Sequence, residues 1–189
     1  MADLFYHETE RLILRDWRDE DWPAFWEATN TPAVMEWLGG VADEATMAAA
    51  SERVEGYRRD FGHTFWVCER KDDGGHLSGE LLGFCGLKRC NDDAGPLGDF
   101  EAGWRLREEA WGHGYAKEAA FASLKVGFEQ FSAPFIIALT VIENEASWGL
   151  MRRIGMSRRE DFDFESDVFG PESVIVYAIT KDEWAANRG

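Results

Sequence analysis

The stretch DFEAGWRLREEAWGHGYAKEAAFASLKVGFEQ, residues 99–130, decides how this chain is read. Residues 99–106 have the composition of a strand, Gly112-His113-Gly114 makes a tight turn, and the segment beyond carries apolar residues at helical spacing. A Gly-x-Gly turn that runs into a helix N-terminus leaves several backbone N–H groups unpaired and pointing one way, at the positive end of the helix dipole. It can therefore seat a phosphate-bearing ligand. Glycines at a turn also serve geometry alone, so the rest of the chain has to discriminate.

A length of 189 residues suits one domain, 1–189, able to bury a real core. The 45% hydrophobic fraction, with nine Trp and thirteen Phe, is globular composition. Cys68, Cys85 and Cys90 fit no common zinc spacing and read as buried free thiols, so no metal site is expected. No apolar run approaches the roughly 20 residues that span a bilayer, and MADLFYHETER has neither the basic start nor the apolar stretch of a signal peptide. A soluble, cytoplasmic protein without membrane contact is expected. The net charge of −16 argues against direct nucleic-acid binding, since phosphates would be repelled. The excess acid serves either solubility or a cationic substrate.

Downstream of the quoted stretch, FIIALTVI (135–142) is a continuous apolar run that suits a central strand covered on both faces. Glu143-Asn144-Glu145-Ala146-Ser147 then opens a short helix through Arg153, closed by Gly155. Residues 156–165 and 173–180 read as the last two strands, with a Gly170-Pro171 turn between them and a helix start at 180–183. Upstream, ERLILRDW (10–17) reads as a strand near a sheet edge. Residues 19–30 read as a helix with Asp19 or Asp21 as N-cap, and Trp22, Phe25 and Trp26 as its packing face. Residues 43–60 form a second helix capped by Asp43, and 64–70 with 81–89 an antiparallel pair leading into 99–106.

Four phrases in this order, ETERLILR, EAGWRLREEAWGHGYAKEA, NEASWGLMRRIGM and a final strand bearing Tyr177 followed by DEW, resemble the GNAT superfamily of N-acetyltransferases. Within it, the branch that looks similar is that of the ribosomal-protein N-terminal acetyltransferases. The resemblance implies an α/β (α+β) fold with a central mixed, mostly antiparallel sheet of about seven strands flanked by helices. It implies acetyl-CoA as cofactor and a primary amine as acceptor, with direct transfer in a ternary complex. The acceptor could be a protein N-terminus or a small molecule such as a polyamine, an aminoglycoside-like antibiotic or an amino-acid metabolite.

The resemblance also assigns roles. The pyrophosphate is expected on the backbone amides of Gly112, His113, Gly114, Tyr115 and Ala116, with positive charge from Lys117, Arg107 or His113. Glu109 stands where relatives often carry Gln or Arg, and an acid so placed has to point into solvent. The pantetheine arm is expected along Trp104, Arg105 and Leu106 like an added strand, with the amide near Leu106 donating to the thioester oxygen. Asn144 would hydrogen-bond the pantetheine amide and Ser147 would sit near the sulfur, as contact or proton donor; both types also cap helices. Met151 replaces a tyrosine acid found in many relatives, which excludes that acid.

An acceptor amine of pKa near 10 needs a base, and a thiol of pKa about 8.5 leaves without much help from an acid. Glu101 is the leading candidate base, acting through water; a salt bridge to a neighbouring basic side chain is its other reading. Asp16, Glu36 and Asp163 are candidates to line the cleft against a cationic amine. A catalytically weak acetyl-CoA-binding or sensing module is the alternative function. A nucleotide-binding phosphate loop is disfavoured, because no Gly-Lys-Ser/Thr follows the turn. A homodimer is a reasonable default for an enzyme of this size.

Overall fold

The computed structural model describes residues 4–166 and 173–187. In chain order these hold β1 (Tyr6–Glu8), β2 (Leu12–Arg15), α1 (Asp21–Thr29), α2 (Glu44–Phe61), β3 (Phe65–Arg70), β4 (Leu81–Arg89) and β5 (Phe100–Leu106). They continue with α3 (Tyr115–Glu129), β6 (Phe135–Val141), α4 (Glu145–Arg153), β7 (Ser157–Arg158), β8 (Phe164–Glu165), β9 (Ser173–Thr180) and α5 (Lys181–Ala186). The strands make one sheet in the order β1-β2-β3-β4-β5-β6-β9-β7, with β8 alongside β9. Every pairing is antiparallel except β5 with β6. The mixed, mostly antiparallel sheet is as expected.

Strand alternation divides the sheet into two faces. Leu12, Leu14, Trp66, Phe100, Ala102, Leu106, Ile136, Ala138, Ile175 and Ile179 point to one face and form the main core with α3, α4 and α5. Helix α3 lies close because its inner residues are small. A Cβ on Gly127 would stand 2.6 Å from the end of Ile136. The opposite face carries α1, α2 and a smaller cluster of Cys90, Ile137, Phe164, Val174, Val176 and Ala178. Cys68, Cys85 and Cys90 are free and buried, and burial pushes their thiols up, that of Cys85 to about 12.

Two expectations need correction. Helix α1 is not capped by Asp19 or Asp21: Glu20 holds the N-cap position without a side-chain bond. Asp21 instead receives both Nη atoms of Arg15, at 2.7 and 2.8 Å, and the Arg18 amide at 2.7 Å. The expected strand 156–165 is also broken, into β7, a 3₁₀ turn at Glu160–Phe162, and β8. The Asp163 carboxylate takes the Val176 amide and the Arg158 guanidinium, displacing a backbone partner and interrupting the ladder. The Gly170-Pro171 turn lies outside the described residues. One strand, β1, was not anticipated. Asp43 does cap α2, accepting from the Thr46 amide at 2.8 Å, and left-handed Gly62 closes that helix.

Arg15 and Asp21 are both buried, and Arg15 reaches Glu69 as well at 2.8 Å. Burial opposes ionisation of Asp21, but the Arg15 guanidinium and the Arg18 amide outweigh it and hold the carboxyl below its ordinary value. Asp21→Asn is expected to cost on the order of 2 kcal/mol at neutral pH, because it takes one of two carboxylates from the buried Arg15 and leaves Glu69 as its remaining counter-charge. The Asp21 contribution is present above its unfolded pKa of about 3.9 and is lost as pH falls through the depressed folded value. Denaturant titrations at several pH values should show the gap between wild type and variant closing on the acid side.

Candidate active site

Strands β5 and β6 pair only at Phe100 with Ile136 and Glu101 with Ile137, and beyond those residues they part. The register of β5 with β4 is continuous from Phe100 to Leu106, and the Arg107 amide donates to the Leu82 carbonyl at 2.8 Å. Amides alternate in direction along a strand, so those of Leu106 and Trp104 point away from β4, toward the gap that opens beside β6. The Leu106 carbonyl is already taken by the Trp111 indole at 2.9 Å. The gap is therefore bordered by the Trp104 and Leu106 amides as donors and the Trp104 carbonyl as acceptor.

The glycine turn stands at the open end of this gap. Gly112 and Gly114 have φ of 76° and 80°, left-handed values that cost a glycine nothing, and a Cβ on Gly112 would meet only open space. The first backbone bond of α3 runs from the Glu118 amide to the Gly114 carbonyl. The amides of Gly112 through Lys117 have no acceptor among the described residues, and Gly114 at the N-cap offers no side chain to take one. A row of unpaired amides at the positive end of a helix dipole is chemically able to hold an anion.

The turn is braced by residues whose role the sequence reading missed. Glu118, in the first turn of α3, accepts from Thr9 Oγ1 at 2.6 Å and the Arg11 amide at 2.7 Å, and pairs with Arg11 Nε at 2.8 Å. Arg11 also donates to the His113 carbonyl at 3.0 Å and lies over the Tyr115 ring. The phrase ETERLILR therefore does more than build β2: its Thr and Arg fasten the turn, and Arg11 places a guanidinium beside it. The signal was the phrase itself. Beside the brace, His113 stacks on His76 at 3.8 Å between ring centroids.

Other predicted residues are placed as follows. Glu109 is exposed, and its carboxylate is engaged by Arg107 at 3.1 Å, so its charge is offset locally and Arg107 is occupied. Ala116 is half-buried and Lys117 exposed. Asn144 caps α4, its Oδ1 accepting from the Ser147 amide at 3.2 Å; its amide nitrogen and the Ser147 hydroxyl have no partner among the described residues. Met151 is buried in the main core. Of the acidic candidates, Asp16 is buried and bonded to Arg58 and the Phe5 amide, Asp163 is paired with Arg158, and Glu36 is exposed.

Glu101 lies on the α1 and α2 face of β5 at the last paired residue before the strands part. It is 7% exposed, and its Oε2 takes Lys88 Nζ at 2.5 Å from the opposite position on β4. Burial raises its carboxyl above the ordinary value, and Lys88 opposes this without cancelling it. Lys88 was not singled out in the sequence, since a cross-strand register cannot be read from spacing alone. Arg105 is on the same face. Its guanidinium packs against the Phe25 and Trp26 rings of α1, 4.9 and 4.7 Å from their centroids. A hollow of about 390 Å³ lies beyond the Lys88–Glu101 pair, between Tyr57 and Phe61 of α2 and Arg89 to Asn91. No group of three or more metal-ligating side chains occurs among the described residues.

A sheet that parts beside an amide-lined turn, with helices on both faces, is a framework for acyl transfer. Residues 11–157 match the acetyltransferase (GNAT) domain, and the chain belongs to that family of enzymes. It is 32% identical over 179 residues to the uncharacterized N-acetyltransferase YnaD of Bacillus subtilis strain 168, covering 93% of this chain and 97% of that protein. An acetyltransferase structure from Agrobacterium tumefaciens strain C58 is similar with a TM-score of 0.77 at 26% identity, covering 95% of this chain and 96% of the other. Spermidine N-acetyltransferase from Vibrio cholerae, solved in complex with CoA and spermine, shares the fold at a TM-score of 0.69 and 17% identity, over 94% and 99% of the two chains. No described helix is long and apolar enough to cross a membrane.

Proposed function

We propose that this chain, as one domain over 1–189, moves an acetyl group from acetyl-CoA to a primary amine by direct attack in a ternary complex. The observation that carries the reading is the run of unpaired amides at 112–117 aligned with a strand whose Trp104 and Leu106 amides face the gap. The residues fit the cofactor. Open space beside Gly112 admits a pyrophosphate, the exposed Lys117 would supply positive charge, and the free side-chain nitrogen of Asn144 suits a pantetheine carbonyl. When bound, acetyl-CoA supplies a thioester with a thiol leaving group.

The chain's own part is to hold and to move protons. The amide near Leu106 would donate to the oxygen on which negative charge develops. Glu101, its Oε2 held by Lys88, would take a proton from the acceptor ammonium through water. Ser147, with an unengaged hydroxyl, would stand near the sulfur. Cys68, Cys85 and Cys90 are sealed in the sheet, in keeping with attack that forms no enzyme-bound acyl group. A cytoplasmic location, an acceptor that is either a protein N-terminus or a small amine, the ribosomal-protein branch and a homodimer complete the proposal.

Isothermal titration should show acetyl-CoA binding in the micromolar range or tighter, with ATP binding far more weakly. Absence of heat at millimolar acetyl-CoA would overturn the reading. The buried Met151 in place of a tyrosine favours one second reading, a binding or sensing module that turns over poorly. Thiol release from acetyl-CoA over a broad amine panel separates the two.

A further inference from the structure

Several of the charged side chains on the α1 and α2 side have an opposite charge beside them. Arg15 has Asp21 and Glu69, Asp16 has Arg58, Glu101 has Lys88 and Asp163 has Arg158. Arg105 is 8% exposed and has no carboxylate partner among the described residues. Its Nη2 donates to the Thr29 carbonyl at the end of α1, at 3.1 Å. Its Nε is enclosed without an acceptor, and its Nη1 is neither enclosed nor bonded. Burial alone lowers its pKa, to about 10, which leaves it a cation at neutral pH.

A buried cation without a counter-charge is costly, and one helix carbonyl offsets little of that cost. An aliphatic side chain would pack between Phe25 and Trp26 without the penalty. A planar fork of N–H donors with positions to spare is the group that recognises carboxylates. Position matters as well. Arg105 and Glu101 share a face of β5 four residues apart, roughly 13 Å between Cα atoms at the usual strand rise. Gly103 lies between them under the Phe65 ring, which stacks on Phe84. The surface from Glu101 to Arg105 is thus apolar in the middle and charged at both ends.

Resting on the acetyltransferase reading above, we propose that Arg105 binds a carboxylate of the acceptor, so that the natural acceptor is an amine that also carries a carboxylate several bonds away. The amine end faces Glu101, the carboxylate takes Nη1 of Arg105, and the Thr29 carbonyl keeps the guanidinium oriented.

The test compares acceptors that differ by a carboxylate alone: β-alanine with ethylamine, lysine with cadaverine, and 6-aminohexanoate with pentylamine. Thiol release is measured at saturating acetyl-CoA. At least one carboxylated member should exceed its partner in kcat/KM by about tenfold or more, the size of a charge-assisted bond. That ratio should collapse toward one in Arg105→Met and recover in part in Arg105→Lys, which keeps the charge but not the fork. Equal rates within every pair of the wild type, or a preference that survives Arg105→Met, would overturn the proposal. So would turnover of neither class by a protein that binds acetyl-CoA. Failure to bind acetyl-CoA at all would instead remove the reading on which it rests. Melting temperatures guard against a folding defect, and the wild-type ratio needs no variant.

Discussion

Glu101→Gln is expected to lower kcat by roughly two to four orders of magnitude, the range found when a positioned general base is removed. The carboxylate sits where β5 and β6 part, on the face opposite α3, the side on which the proposed mechanism places the acceptor amine. Its buried carboxyl titrates above the ordinary value, so the active, ionised form is lost as pH falls through that raised value. The wild-type profile should therefore carry an acid limb that the glutamine variant lacks. The deficit should be greatest between that limb and the pKa of the amine near 10, and should narrow once the amine deprotonates unaided. Lys88→Met removes the group that opposes the upward shift, so its acid limb should move to higher pH. A glutamine variant with the wild-type rate and profile would remove Glu101 from the mechanism.

The second large effect concerns Gly83. Its φ is +142°, and a Cβ there would stand 2.0 Å from the Arg105 carbonyl and 2.9 Å from the Leu106 Cα. Both contacts are backbone, so neither neighbour can yield by turning a side chain. Gly83→Val is expected to cost about 3–5 kcal/mol, from overpacking together with strain at a conformation valine does not adopt. Because Gly83 faces Leu106 across the ladder, any population that stays folded should also bind acetyl-CoA more weakly. Urea denaturation with titration of the folded fraction tests both. A variant within 1 kcal/mol of wild type would show that β4 and β5 separate more readily than this packing implies.

How much was legible in the sequence follows from how local each cause is. The left-handed turn at Gly112 and Gly114, the Asp43 cap of α2 and the Thr180–Glu183 capping box at α5 are set by residues within four positions of each other. Those could be read directly. Lys88 opposite Glu101 depends on the pairing register of two strands, and Thr9 and Arg11 reach Glu118 from more than a hundred residues away in sequence. Asp21 has the right type and place for a cap, and was drawn off by a buried arginine whose position only the fold fixes. The break between β7 and β8 likewise arises because the Asp163 side chain competes for a backbone amide. Composition suggested acidic groups for a cationic acceptor. The fold pairs Asp16 with Arg58 and Asp163 with Arg158 and leaves Glu36 exposed, a division that depends on which side chains the fold brings together.

The sealed thiols have a practical consequence. Release of CoA can be followed continuously with a coloured disulfide reagent, which reacts with thiolates it can reach. Cys68 and Cys85 are at most 1% exposed and Cys90 is 2% exposed, so the native protein should add almost no colour of its own. Reactions can then be run at high enzyme concentration with a flat blank, which suits slow acceptors. Colour that grows before acetyl-CoA is added would report unfolded protein, giving each assay an internal measure of sample integrity.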